Sequence, residues 1–201
     1  MTALLALAIA YLLGAIPFGY LLVKWKTGAD VRSSGSGNIG ATNVLRTSGR
    51  AAGAATLLLD ILKGYAAVAV AGRLTGGSAE WMSAAALAVV AGHAYPVFLG
   101  FKGGKAVASF LGAFLCLTPL AIAATAVVFA GVVARTRHIS MGSIIGAATF
   151  PLAVWLLLHP PLSVVAASLI GGGFIIWRHR GNIGRLRAGT ENVFTLGGGK
   201  A

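Results

Sequence analysis

The sequence predicts an all-α integral membrane protein with seven transmembrane helices, an external N-terminus and a cytoplasmic C-terminus. Composition is the first ground. Of the 201 residues, 57% are hydrophobic and only four are acidic, far less charge than a soluble domain carries. Periodicity is the second. The apolar runs are rich in Ala and Leu, and most approach the ~20 residues a helix needs to cross a bilayer. They lack strand-like alternation, and lipid admits only helices or closed barrels. The third is charge placement. Of sixteen Lys and Arg residues, all but Lys63 and Arg73 lie in short polar stretches, which fall on one side if each run is a crossing.

The predicted spans are 3–23, 52–72, 81–99, 106–118, 119–134, 141–158 and 161–177. The first resembles a signal peptide, but a signal peptide carries its positive charge before the apolar core. Here Lys24 and Lys26 follow it, so an uncleaved helix entering from outside is expected. The run from Ala106 to Ala134 reads either as one long tilted helix or as two, broken at Thr118-Pro119. Parity decides between them. Two passes put Arg135 and Arg137 on the side of Lys24, whereas one pass puts them outside and flips the basic C-terminal stretch as well. With seven spans the cytoplasmic side holds Lys24, Lys26, Arg32, Arg46, Arg50, Lys102, Lys105, Arg135, Arg137, Arg178, Arg180, Arg185, Arg187 and Lys200. Trp25, Trp81, Tyr95 and Trp177 fall near span ends, where amphipathic rings prefer the interface. Gly49/Gly53 and Gly142/Gly146 have the spacing that lets helices approach closely. Residues 1–201 read as one domain, with Gly197–Ala201 a frayed tail.

Several function classes drop out. The net charge of +12 suits nucleic acid, but a nucleic-acid reader displays basic residues on a soluble fold. The single cysteine, Cys116, lies in an apolar run and supports neither a disulfide framework nor a CxxC metal pair. No metal or other cofactor is expected. Asp60 and Lys63, three residues apart within a span, read as an internal ion pair, because intramembrane charges are costly unless paired.

Three cytoplasmic segments carry candidate chemistry. The first, Ser33 to Arg46 (SSGSGNIGATNVLR), has Gly35, Gly37 and Gly40 at GxGxxG spacing. The preceding strand of a dinucleotide fold is missing, yet such glycines let backbone N–H groups converge on an anion. Ser36, Asn38, Thr42 and Asn43 add neutral donors, and Arg46 can grip phosphate with two bonds. A plain Ser/Gly linker gains nothing from the Asn-Thr-Asn set. In the second, Gly92 to Ser109, Lys102 and Lys105 flank Gly103-Gly104 just before a helix. This is not a Walker A loop, since Ala106 stands where Ser or Thr would hold magnesium, but it is an anion site in type. Snorkelling explains the lysines and not the glycines. His93 reads as a base or as a structural histidine. The third, Arg178 to Phe194, interleaves His179, Asn182 and Glu191 with arginines. Anionic-lipid binding explains Arg180 and Arg187 and not that interleaving. A fainter fourth segment sets Ser140 and Ser143 beside Arg135 and Arg137.

The blocks GSGNIGATNVLR with LLLDILKG, GHAYPVFLGFKGGKAVAS and RHRGNIGRLRAGTEN together resemble the bacterial membrane glycerol-3-phosphate acyltransferases that take their acyl group from acyl phosphate. The order and spacing match along the whole chain. Two positions depart from the family pattern: Ala106 stands for Gly, and Val193 for Lys. The resemblance implies a seven-helix enzyme of the bacterial cytoplasmic (inner) membrane with its site facing the cytoplasm. It implies transfer from acyl phosphate to the 1-hydroxyl of sn-glycerol 3-phosphate, giving lysophosphatidate and inorganic phosphate. It places Ser36, Arg46, Lys105, Ser143, His179 and Asn182 in the phosphate pocket, with His179, Asn182, Lys105 and Arg46 closest to the chemistry. Asn38, Thr42, Lys102, Gly103 and Gly104 shape the pocket and offer donors. No protein nucleophile is expected. The proton goes to His93, to His179 or to the acceptor's own phosphate, the last being the simplest. The alternative class is a membrane transporter of an organic phosphate, which would use the same basic loops.

Overall fold

The computed structural model describes residues 1–194; the expected frayed tail, with Lys200, lies outside them. Ten α-helices follow in order: α1 (Thr2–Ala15), α2 (Phe18–Thr27), α3 (Ala41–Ser48), α4 (Arg50–Leu74), α5 (Ala79–Ala94), α6 (Val107–Leu117), α7 (Pro119–Thr136), α8 (Ile139–Leu158), α9 (Leu162–Arg178) and α10 (Arg180–Arg187). Among the described residues there is no strand.

The expected spans all appear as helical segments, but not all as full crossings. Five are long and apolar enough to cross: 2–27, 50–74, 79–99, 119–136 and 139–158. The pair α9 and α10, bent by 54°, counts as a sixth if taken together. The expected span 106–118 becomes α6, only 11 residues long. The first span is interrupted at Ile16-Pro17, because proline cannot continue the ladder. The carbonyl of Ile16 at that break accepts a 2.7 Å bond from Lys63. Lys63 in turn pairs with Asp60 at 2.8 Å, both buried, which is the internal ion pair the sequence suggests.

Small residues set the packing. A methyl on Gly14 would strike the Val89 carbonyl, one on Gly64 the Ser109 carbonyl, and one on Gly112 the Ile61 carbonyl. The backbones of α1 and α5, and of α4 and α6, therefore touch almost directly, with dispersion in place of the hydrophobic drive that lipid does not supply. Gly142 packs on Val133 and Phe129, and Gly146 on Thr125, which joins α8 to α7 as the small-residue spacing suggests.

The break at Thr118-Pro119 is a reversal. Thr118 ends α6 with both its N–H and its hydroxyl on the Phe114 carbonyl, and Pro119 opens α7 at a position where a missing N–H costs nothing. The α7 helix then returns to the end from which α6 departed, since the Arg137 carbonyl accepts from Phe194 N–H near the Lys105 loop. The reading of 106–134 as two legs holds, and the single long helix is excluded.

Candidate active site

Four helix starts meet at the cationic end of the bundle. Gly40 to Thr42 of α3, Ala106 to Ala108 at α6, Ile139 and Ser140 of α8, and His179 and Asn182 at α10 line one cavity of about 560 Å³. None of these four N-termini has a side-chain cap. Their N–H groups and dipoles therefore bias the same space toward an anion.

The first loop is folded on itself by Asn43. Its side-chain amide donates to the carbonyls of Val31, Ser34 and Asn38, while its Oδ1 accepts from Ser36 N–H at 2.8 Å. Gly35 and Gly37 supply the positive φ this path needs (60° and 68°). Asn43, expected as a donor to ligand, thus has its donors committed to the loop. The side chains of Ser36, Asn38, Thr42 and Arg46 remain on the cavity wall.

The second loop departs from expectation. Gly103 N–H bonds to the Ala94 carbonyl and Gly104 N–H to that of His93, so neither is a free donor. Both glycines and Lys102 lie off the cavity wall, and Lys102 is exposed. Glycine is needed there because a Cβ on Gly103 would meet Pro96 and the His93 carbonyl, and one on Gly104 the His93 ring. The glycine pair lets the loop seat against α5 and aims Lys105 inward. Arg178 closes the loop from the other side, donating to the Gly104 carbonyl (3.2 and 2.8 Å) and the Gly103 carbonyl (3.2 Å). Its guanidinium also lies over Tyr95 and Trp177, at 5.3 and 5.9 Å.

His93 is a buried brace behind this loop. Its Nδ1 is 3.1 Å from Ser109 Oγ and 3.7 Å from Asp60 Oδ1. Both partners approach the same nitrogen, whereas a Ser–His–Asp relay uses the two different ones. Ala106 adopts φ 62° and ψ 12°, the left-handed region that the family's glycine would enter freely. Val193, the other departure, is 53% exposed and off the cavity wall.

In the third segment, His179 sits at the bend between α9 and α10 with Nδ1 2.8 Å from the Ile175 carbonyl. A carbonyl only accepts, so Nδ1 carries the hydrogen and Nε2 keeps its lone pair. Burial, reinforced by Lys105 and Arg178, pushes this imidazole down to about 4, with the Ile175 bond and Glu191 opposing; it is neutral at pH 7. Glu191, 8% exposed, receives Ser140 Oγ (2.9 Å), Asn182 Nδ2 (2.7 Å) and Arg185 Nε (2.7 Å). Burial alone would raise its carboxyl. The bonds from Asn182, Ser140 and Arg185 outweigh that and hold it below the usual range.

Lys105 is pushed down to about 8. Burial is the main cause, Glu191 opposes it, and Arg185, Arg46 and Arg178 add to it. Arg46, exposed where it borders the cavity, is still lowered by partial desolvation and stays charged, as a guanidinium does in proteins. Beyond Ser143 the cavity becomes an apolar slot between α4, α6, α7 and α8, walled by Ile61, Phe110, Ile122, Phe129, Ala147 and Phe150. A second hollow of about 300 Å³, edged by Arg178 and Arg180, opens beside Lys105 and Asn182.

The structure thus gathers Ser36, Asn38, Thr42, Arg46, Lys105, Ser143, His179 and Asn182 on one wall and leaves Lys102, Gly103 and Gly104 off it. Glu191, Ser140, Arg185 and Arg178 carried no role in the sequence. Glu191 had a signal in its interleaving with arginines, which lipid anchoring leaves unexplained; Ser140, Arg185 and Arg178 had only their place inside polar blocks.

A polytopic helical membrane protein with a cationic cavity running into an apolar slot is built for an amphipathic anion. The family model described as glycerol-3-phosphate acyltransferase matches residues 4–189, and the chain belongs to that family. It is 51% identical over 191 residues to a glycerol-3-phosphate acyltransferase of Geobacter sulfurreducens, covering 95% of this chain and 97% of the relative. It is 52% identical over 186 residues to one of Trichlorobacter lovleyi, covering 92% and 94%. The crystal structure of PlsY (YgiH), an integral membrane glycerol 3-phosphate acyltransferase, is similar in its glycerol 3-phosphate form (TM-score 0.92, 39% identity, 97% of this chain and 96% of that one). Its lysphosphatidic acid form gives TM-score 0.89 at 37% identity, covering 97% and 96%.

Proposed function

We propose that this protein transfers the acyl group of an acyl phosphate to the 1-hydroxyl of sn-glycerol 3-phosphate, giving lysophosphatidate and inorganic phosphate, the first step of phospholipid synthesis. The observation that carries the reading is the two-part cavity: a wall of cations and uncapped helix starts continuous with an apolar slot. Polar acceptor and lipid donor meet at the junction, near Ser143 and His179. The membrane arrangement proposed with it has seven passes, the N-terminus outside and the site facing the cytoplasm of a bacterial inner membrane. In it α6 and the start of α7 turn round at Thr118-Pro119. Both substrates are small molecules, no cofactor takes part, and the acyl chain comes from the surrounding lipid.

The hydroxyl oxygen attacks the acyl carbonyl carbon, the bond from that carbon to the bridging oxygen breaks, and phosphate leaves carrying that oxygen. Arg46 and Lys105 neutralise the phosphates and fix their positions. Ser36, Asn38, Thr42 and Asn182 supply neutral donors, Ser143, whose hydroxyl donates to the Ile139 carbonyl, offers only an acceptor oxygen, and His179 Nε2 accepts from the attacking hydroxyl and orients it. An imidazole held near 4 is a poor proton store at pH 7, where a good base titrates close to the working pH. A phosphate monoester, with a second pKa of about 6, is the stronger base, so the substrate's own phosphate takes the proton. A pH–rate profile that keeps its shape in His179→Ala and in His93→Ala supports this; loss of one limb in either variant sinks it.

Purified protein, supplied in turn with acyl phosphate, acyl-CoA and acyl carrier protein, tests the reaction. The expected result is phosphate release from acyl phosphate only when glycerol 3-phosphate is present. A transporter of organic phosphate releases none. Arg46→Lys is expected to lose most activity, because an ammonium cannot reproduce the guanidinium fork.

A further inference from the structure

We infer that an aromatic floor closing the apolar slot, Phe110 and Phe150 backed by Phe114, gauges the length of the acyl chain. The inference rests on the reading that the acyl chain occupies the apolar slot.

Two helices give the slot the same depth. Along α7 the wall runs from Val133 to Ile122, and along α8 from Ile139 to Phe150; eleven residues at 1.5 Å each make about 16 Å in both. The α6 helix lines the cavity only near its start, to Leu111. A helix of full crossing length would carry the chain reversal to the opposite face. Because α6 stops early, the Thr118-Pro119 turn tucks the first turn of α7 inward, and Ala121 and Ile122 are buried (0% and 8% exposed) although most of α7 is not.

The floor is rigid. Phe110, Phe114 and Phe150 stack on one another at 4.5, 5.1 and 4.9 Å between ring centres. Phe114 and Phe150 are 0% exposed, so neither ring can swing aside without opening a void. Phe150 packs edge-to-face on both Phe110 and Phe114, which holds its ring beyond what burial alone does. Ala147 and Gly146, one turn above Phe150, keep the slot open by being small.

An extended chain advances about 1.2 Å per bond, since a residue of three bonds spans ~3.3–3.6 Å. From the level of Ser143 to Phe150, about 10 Å, the slot houses roughly nine carbon–carbon bonds, and about fourteen over its full depth. Chains within that range lie wholly in protein. Longer ones must fold or leave between α4 and α7.

Purified variants assayed with a series of saturated acyl phosphates from ten to eighteen carbons test the gauge. Ala147→Leu fills the slot above the floor and is expected to move the best chain shorter by two to four carbons. Phe150→Ala lowers the floor and is expected to move it longer by a similar amount, each newly housed methylene changing kcat/KM about fourfold. Phe150→Leu, which keeps most of the volume, moves the profile in the same direction by less and guards against misfolding of the alanine variant. Superimposable length profiles in active wild type, Ala147→Leu and Phe150→Leu overturn the gauge and leave the reaction standing. Absence of product from every acyl phosphate with wild type overturns both.

Discussion

Arg178→Lys keeps the charge beside the site and removes only the fork. Arg178 makes three N–H···O contacts to the carbonyls of Gly103 and Gly104 and lies over two aromatic rings. An ammonium can keep one of those bonds. Hydrogen bonds from a charged donor contribute about 1.5–3 kcal/mol each, so losing two costs about 3 kcal/mol if nothing replaces them. The guanidinium is partly buried, and water recovers about half of this, leaving about 1.5 kcal/mol, or roughly tenfold. That weight falls on the loop that aims Lys105, not on the bundle. Steady-state kinetics with varied glycerol 3-phosphate should therefore show kcat/KM about tenfold lower, while the thermal midpoint in detergent moves little. Because the field is unchanged, a loss reports geometry. Kinetics within twofold of wild type would refute the idea that this fork positions Lys105.

Lys105, with a pKa of about 8 in the empty site, loses its proton as pH rises from 7 to 9, and KM for glycerol 3-phosphate should rise about tenfold over that interval. The acceptor's phosphate is already a dianion there, so Lys105→Arg, which stays charged, should flatten the rise. Glu191→Gln sets an amide N–H against Arg185 Nε, and should cost about 2–4 kcal/mol of stability by breaking a buried charged network, read as a lowered thermal midpoint. Glu191's lowered pKa means its contribution is present above the normal carboxylate pKa and fades as pH falls below it. Ala106→Gly trades strain of about 1–2 kcal/mol against lost entropy and a buried methyl, so activity should stay within twofold. Ala106→Val puts a branched residue at φ 62° and should lose more than tenfold.

Helices, their rough bounds and the two-legged path through Thr118-Pro119 were legible because hydropathy and charge parity are properties of single segments. The cluster of Ser36, Arg46, Lys105, His179 and Asn182 was legible too, through motif order and the demand of phosphate for cations. What stayed hidden depends on three-dimensional pairing. Nothing in a string of glycines says that the N–H groups of Gly103 and Gly104 are spent on the carbonyls of Ala94 and His93, or that the three amide donor bonds of Asn43 all stay within its own loop. Nor does spacing show that Ser140 and Glu191, 51 residues apart, share a 2.9 Å bond. The shortness of α6 is already in its expected bounds, 106–118; what escaped is whether so short a leg crosses, since an apolar run looks the same whether it crosses or turns back.

A carboxylate in a phosphate site looks like a liability, since it repels the ligands. The distribution of bonds resolves this. Both Glu191 oxygens are taken, Oε1 by Ser140 and Asn182 and Oε2 by Arg185, so its charge is engaged by these donors although the residue borders the cavity. Without it, Arg46, Lys105, Arg178 and Arg185 would repel one another in an empty cavity, and Lys105 would be pushed further down than it is, since Glu191 is what opposes the arginines there. The carboxylate thus keeps the lysine charged while the site waits. When phosphate arrives it replaces that stabilisation and raises the lysine further, so cation and anion strengthen each other. Binding of inorganic phosphate to wild type should therefore take up protons near pH 8, as measured by calorimetry in buffers of different ionisation enthalpy. The uptake should vanish in Lys105→Arg, and its persistence there would place the titrating group elsewhere.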